Sequence, residues 1–202
     1  MKSWFTMALL TLSTPVVLAA ATLGQAAPPF TATDVAGKSV SLADFKGRHV
    51  VLEWVNPGCP YVQKHYGAGN MQATQKAATD QGAVWLAIST TAREHVDYKS
   101  PADLAAWMKG GKAAATNTLM DPEGTIGRAY GARTTPHLYI INPAGTLVYA
   151  GGIDNKPTAN PADIPGATNH VKQALAELSA GKPVSQPSTR PYGCSVKYPS
   201  AA

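Results

Sequence analysis

What this 202-residue chain has little of narrows its role before any motif is read. It holds two cysteines, Cys59 and Cys194. A chain of this length buries a full core without disulfide staples, so such scarce thiols point to chemistry; a single structural bridge is the plain alternative. Lysine and arginine are scattered, with no basic run and no basic stripe interleaved with aromatics, which argues against nucleic acid as a partner. The five histidines form no compact pair, so no metal site is expected, and nothing implies a cofactor. Beyond the first 26 residues no apolar run is long enough to span a bilayer, and no internal repeat is present.

What is there begins with a leader. Met1-Lys2 supplies a positive start, Trp4 to Ala21 is almost wholly apolar or small, and two small-residue cleavage sites follow. Gly24 and Ala26 frame one, Ala19 and Ala21 the other. This is the pattern of a secretory signal peptide, here bounded at 1–26, and it places the protein in the periplasm or outside the cell. The stretch is interrupted by Thr11, Ser13, Thr14 and Pro15 and lacks a basic stop-transfer flank, which disfavours a membrane anchor. No stable membrane insertion is expected after cleavage. No cysteine lies near the cleavage sites, so a lipid anchor is not expected. The remainder divides into a domain over 27–182 and a proline-rich tail over 183–202 that carries Cys194.

Within the domain, His49 to Val55 and Ala83 to Ser89 are apolar runs of central-strand character. Pro60 to about Asp80 reads as a helix with a break near Gly67 and Gly69. Asp103 to about Ala115 reads as a second helix, with Gly110-Gly111 as an earlier stop, and a short helical segment opens at Asp121 and ends at Gly131. His137–Ile141 and Thr146–Tyr149 read as a hairpin around Asn142-Pro143-Ala144-Gly145. Asn169 to Ala180 has helical spacing, and Gly151 to Thr168 reads as a long loop. Alternation early and a hairpin plus helix late predict an α/β fold, a mixed sheet flanked by helices.

Cys59 stands where the chain leaves a strand through Asn56-Pro57-Gly58 and enters a helix at Pro60. Unpaired N–H groups of a first helical turn, and the positive end of the helix dipole, stabilise a thiolate there. An inert buried residue is the bland alternative. The reactive reading is preferred because turn chemistry precedes the cysteine and proline follows it.

The segments Leu52-Glu53-Trp54-Val55-Asn56-Pro57-Gly58-Cys59-Pro60-Tyr61-Val62, Gly69-Asn70-Met71-Gln72, Thr134-Thr135-Pro136 and Arg190-Pro191-Tyr192-Gly193-Cys194-Ser195 carry a family resemblance. The chain resembles the thioredoxin-like superfamily, and within it the redoxin branch, the peroxiredoxin-like relatives of alkyl hydroperoxide reductase and thiol-specific antioxidant proteins. That resemblance implies a cis-proline loop at Pro136 facing Cys59, with the backbone of Thr135 open to an extended substrate strand. Thr135, Pro136, His137 and Pro60 become the expected substrate-binding residues, His137 as a hydrogen-bond donor that tunes the thiolate. Glu53 takes the place of a buried carboxylate that handles the thiol proton, with an exposed strand-edge Glu as the alternative.

The chain departs from thioredoxins in having Val62 where their second cysteine stands. Cys59 therefore needs a distant partner, and Cys194 is the candidate resolving cysteine. The expected activity is a thiol-dependent oxidoreductase exchanging with a protein or small-molecule thiol or disulfide. Peroxide reduction is the alternative; against it, Asn56 replaces the peroxiredoxin threonine and Pro136 falls where the peroxiredoxin arginine would be, leaving Arg133 or Arg128 as substitutes. A copper or other metal carrier is a third reading, weakened because Gln63 stands where such carriers have their second cysteine and only His65 and His137 could approach Cys59.

Overall fold

A strand in the middle of a sheet covered on both sides must be apolar on both faces, and Val50–Trp54 (β3) meets this condition at every position except Glu53. The computed structural model describes residues 20–200; the leader's basic start and its apolar stretch through residue 19 lie outside them. Around β3 the chain builds a seven-stranded mixed sheet. Its other strands are Thr31–Asp34 (β1), Ser39–Ser41 (β2), Val84–Ser89 (β4), Asn117–Met120 (β5), His137–Ile141 (β7) and Leu147–Gly151 (β8), with the two-residue Thr134–Thr135 (β6) outside it. The order is β2-β1-β5-β4-β3-β7-β8; β3, β4 and β5 run parallel, and β7 joins β3 antiparallel.

One face is covered by the helices Pro60–Gly67 (α1), Asn70–Thr79 (α2), Pro101–Gly110 (α3) and His170–Ser179 (α5). Val51, Val55, Leu138 and Ile140 meet Val62, Met71, Leu104 and Val171 in that layer. Thr125–Tyr130 (α4) covers the other, where Leu52, Trp54, Leu86 and Ile88 pack with Ile126 and Tyr130. At roughly 1.5–3 kcal/mol for each large side chain buried, these two layers dominate what holds the sheet together.

The expected break in the long helix falls between α1 and α2, where Gly69 takes the left-handed backbone at φ 71°. Helix α3 stops at Gly110, the earlier of its two expected ends, and Gly131 at φ 62° closes α4. Two features were not expected. Strand β5 fills the sheet between β1 and β4, and the long loop holds a 3-10 turn at Pro161–Gly166 capped by Asn160.

Both ends of the described chain finish the outer edge of β8. The Gly24 N–H donates to the Leu147 carbonyl at 2.8 Å, and the Leu147 N–H to the Gln25 carbonyl at 2.9 Å. Further along, the Ala150 N–H donates to the Pro187 carbonyl at 3.0 Å as the tail runs parallel past Ala150 at Ser188. The crossing is tight: a Cβ on Gly151 would lie 2.1 Å from Thr189 Oγ1. Residues 21–26, assigned to the leader from sequence, thus bond to the body of the fold. Among the described residues no helix is long and apolar enough to cross a membrane.

Candidate active site

The turn after β3 is built by Asn56. Its side-chain oxygen accepts from the Gly58 N–H at 2.8 Å, its carbonyl from the Cys59 N–H at 3.0 Å, and its amide donates to Asp97 Oδ2 at 3.2 Å. Gly58 has no room for a side chain, since a Cβ there would sit 2.9 Å from Asp97 Oδ1. This turn delivers Cys59 to the N-cap of α1 with Pro60 just inside the helix.

The Thr135–Pro136 peptide bond is cis, and it turns the Thr135 carbonyl onto the sulfur. As a thiol, Cys59 donates to that carbonyl at 3.0 Å. Burial by itself would raise the Cys59 pKa. The Cys194 thiol, the Thr135 hydroxyl and the N–H groups of Val62 and Cys194 act against burial, and together they hold it below the usual thiol value. Cys194 goes the other way: burial, then its contact with Cys59, pushes it up to about 11. The pair is thus graded, with the inner sulfur the more readily ionised. Both cysteines are unbridged in this structure.

Cys194 reaches Cys59 because the tail comes back as a strand. Cys194–Ser195 (β9) pairs antiparallel with β6, in the register Thr135 to Cys194 and Thr134 to Ser195. The backbone edge expected to receive a substrate strand is therefore filled by this chain's own tail. The closest approach is at Gly193, φ 135°, where a Cβ would fall 2.0 Å from the Thr135 carbonyl oxygen. Cys59 is 2 % exposed beneath this strand, whereas Cys194 is only part-buried.

Glu53 lies inside the core and is fully buried. Tyr66 Oη donates to Oε1 at 2.9 Å, while Trp85 Nε1 and Gln75 Nε2 donate to Oε2 at 2.7 and 3.0 Å. Burial raises its pKa to about 7 in spite of these three donors. None of its hydrogen bonds goes to Cys59. The exposed-edge alternative for Glu53 does not hold.

His137 does not take up the role of thiolate donor expected of it. Its Nδ1 is engaged by Tyr139 Oη at 3.1 Å and by the Arg133 N–H at 3.3 Å. The reason is strand alternation: on β7, Leu138 and Ile140 face the Cys59 layer, which sends His137 and Tyr139 to the opposite one. Burial, with Arg133 nearby, lowers the His137 pKa to about 3, so the ring is neutral. Nor do the peroxide-clamp substitutes gather at the sulfur. Arg128 stacks on Tyr198 and donates to the Pro199 carbonyl, and Arg133 is exposed.

Sequence reasoning missed the group that seats the tail. Tyr192, two residues before Cys194, donates to Asp154 Oδ1 and lies 3.1 Å from His65 Nε2. Lys64 stands 5.6 Å over the Tyr192 ring and donates to the Lys156 carbonyl at 2.9 Å. Lys64, His65, Asp154 and Tyr192 are all buried. Adjacent charged residues on a short helix ordinarily read as a solvated face; only their two different positions around α1, both turned inward, could have signalled otherwise. Among the described residues no group of three or more His, Cys, Asp or Glu side chains could hold a metal ion.

Comparison with known proteins agrees with this geometry. The model of the AhpC/TSA family matches residues 23–150. The thiol-disulfide oxidoreductase ResA of Bacillus thuringiensis is 25 % identical over 133 residues, covering 62 % of this chain and 67 % of its own length. Among solved structures, an uncharacterized conserved protein from Geobacillus kaustophilus superposes with a TM-score of 0.75 at 26 % identity, over 90 % of this chain and 94 % of its own. The thioredoxin domain of a thiol-disulfide oxidoreductase from Bacteroides vulgatus gives 0.51 at 26 % identity, over 64 % and 87 %. A cysteine at a helix start, faced by a cis-proline loop on a helix-flanked mixed sheet, agrees with these matches: the chain belongs to the AhpC/TSA family, the redoxin branch of the thioredoxin-like superfamily, and is a thiol-dependent oxidoreductase.

Proposed function

We propose that this protein is an exported thiol–disulfide oxidoreductase whose redox centre is the pair Cys59 and Cys194, working on a protein or small-molecule thiol or disulfide. The observation that carries this reading is the register that sets Cys194 opposite Thr135, the residue whose carbonyl receives the Cys59 thiol at the cis-proline loop; the two thiols are of unequal acidity. Cys59 is the nucleophile that closes the bond. In closing, the pair loses two electrons and two protons, and a partner disulfide is reduced to two thiols. In opening, two partner thiols are oxidised and the pair regains them. Glu53, poised near neutrality, is the buried group suited to exchange a proton with this centre. The leader sequence supports export, and the names of the oxidoreductase relatives support exchange in preference to peroxide reduction.

The test is a redox-buffer titration of the purified protein with disulfide mapping by mass spectrometry. A Cys59–Cys194 linkage should appear in a single two-electron transition, and Cys59→Ser should abolish exchange with a small aromatic disulfide substrate. An oxidised protein with no such linkage would defeat the proposal.

A further inference from the structure

We infer that Cys194 is the sulfur through which outside thiols reach the pair, and that Cys59 is the inward sulfur that leaves. The inference rests on the reading of the two cysteines as a redox pair, and it inverts the arrangement in which a helix-start cysteine meets the partner directly.

The tail is fastened on both sides of Cys194. Before it, Tyr192 is buried against Asp154 and His65. After it, the Val196 N–H donates to the Arg133 carbonyl at 3.0 Å, the Ala92 N–H to the Lys197 carbonyl at 2.7 Å, and Tyr198 Oη to the Ala132 carbonyl at 2.7 Å. Unseating β9 means breaking these bonds together with the β6 pairing and exposing the buried Tyr192 and Val196. These bonds and this burial would have to be given up together, so the strand is held in place as one unit. With β9 seated, Thr135 offers no backbone edge to a substrate, and Cys59 is closed off at 2 % exposure. Cys194 is part-buried and has Ser195 exposed beside it. A thiol arriving from solvent meets the Cys194 sulfur first.

The chemistry favours the same direction. Exchange is faster when the departing thiol is the more acidic, and the departing sulfur here is Cys59, whose thiolate is favoured by the Val62 N–H in the first turn of α1 and by the Cys194 N–H. An outside thiolate attacks Cys194 Sγ, forming a partner–Cys194 disulfide. The Cys59–Cys194 bond breaks, and its electron pair leaves on Cys59 as a thiolate. A second partner thiol then gives up its proton and attacks the partner sulfur of the mixed disulfide. Cys194 departs with the electron pair and takes up a proton. The partner has become a disulfide, and the pair holds its two electrons.

The experiment uses the oxidised full-length protein with one equivalent of glutathione, quenched in acid at successive times from milliseconds. Free thiols are then alkylated under denaturing conditions and the peptides mapped. At the earliest times the glutathione adduct should sit on Cys194, at least about tenfold in excess over Cys59, with Cys59 recovered alkylated. An early adduct on Cys59 overturns the inference and leaves the redox pair intact. Failure of the protein to form any Cys59–Cys194 disulfide overturns the proposed function and this inference with it.

Discussion

Replacing Glu53 by Gln keeps the shape of the side chain and removes its charge, and the surroundings are able to accept the change. Trp85 and Gln75 donate to one carboxylate oxygen, which the carbonyl of the introduced glutamine can replace. Tyr66 Oη, which bonds the other oxygen, is able to accept from the new amide, as it already accepts from Gln75 and lies 3.9 Å from Met108 Sδ. The fold should survive. What changes is the pH dependence of stability. The Glu53 pKa is about 7 when folded against 4.5 in its ordinary state, so the folded protein binds the proton more tightly. Its contribution to stability is complete below pH 4.5 and is lost as pH rises through about 7. A difference of between two and three pKa units corresponds to about 3 kcal/mol. Buried histidines oppose this slope. His65 and His137 are lowered to about 4 and about 3 by burial, so they cost stability as pH falls below 6.5. Their effect is common to both proteins and cancels in the difference. Urea unfolding at pH 5, 6, 7 and 8.5, under reducing conditions, should show Glu53→Gln gaining roughly 2–3 kcal/mol relative to wild type across that range. A difference that is flat with pH would refute the assignment of Glu53 as a buried, near-neutral carboxyl.

Other substitutions test the seating of the tail. Gly193→Ala puts a Cβ into the Thr135 carbonyl at a φ of 135°, so β9 should shift, stability should fall by about 1–3 kcal/mol or more, and the yield of the Cys59–Cys194 disulfide should drop; an unchanged yield would show that the register does not matter. Tyr192→Phe strips a buried donor from Asp154 and should cost about 1–3 kcal/mol in chemical denaturation, against no measurable loss if the contact is idle. Cys194→Ala removes a donor to the Cys59 thiolate, so the pH midpoint of Cys59 alkylation should move up, and a midpoint that stays or falls would contradict the geometry. If the proposed export holds, mass measurement of the mature protein should find Thr22 at its start and not Ala27, because cleavage after Ala26 would discard the bonds that Gly24 and Gln25 make to Leu147.

The parts of the fold legible from sequence were those with strong local chemistry. The apolar runs of β3 and β4 announce central strands, glycine marks the break between α1 and α2, and turn residues followed by Pro60 put Cys59 at a helix start. Strand β5 was not legible: it is four residues long, Asn117 and Thr118 dilute its apolar character, and it is a strand only because β4 and β1 flank it. The same limit governs the site. A cis proline and a thiol can be anticipated from motif alone, but that Thr135 pairs with Cys194 depends on how a tail is held 59 residues later in the chain. Nothing local marks Tyr66 and Gln75, yet with Trp85 they set the state of Glu53. His137 illustrates the opposite error, since its place next to Pro136 suggested a role that strand alternation then denied.

Strand β8 has β7 on one side and no strand of the sheet on the other. Gln25 and its surroundings screen its first half and Pro187 to Thr189 its second, so opposite ends of the polypeptide share one task. Trimming either terminus bares a row of hungry amides and carbonyls, the sort of lip onto which another molecule stacks. Loss of the segment around Gln25, which carries no cysteine, would leave molecules prone to pair edge to edge.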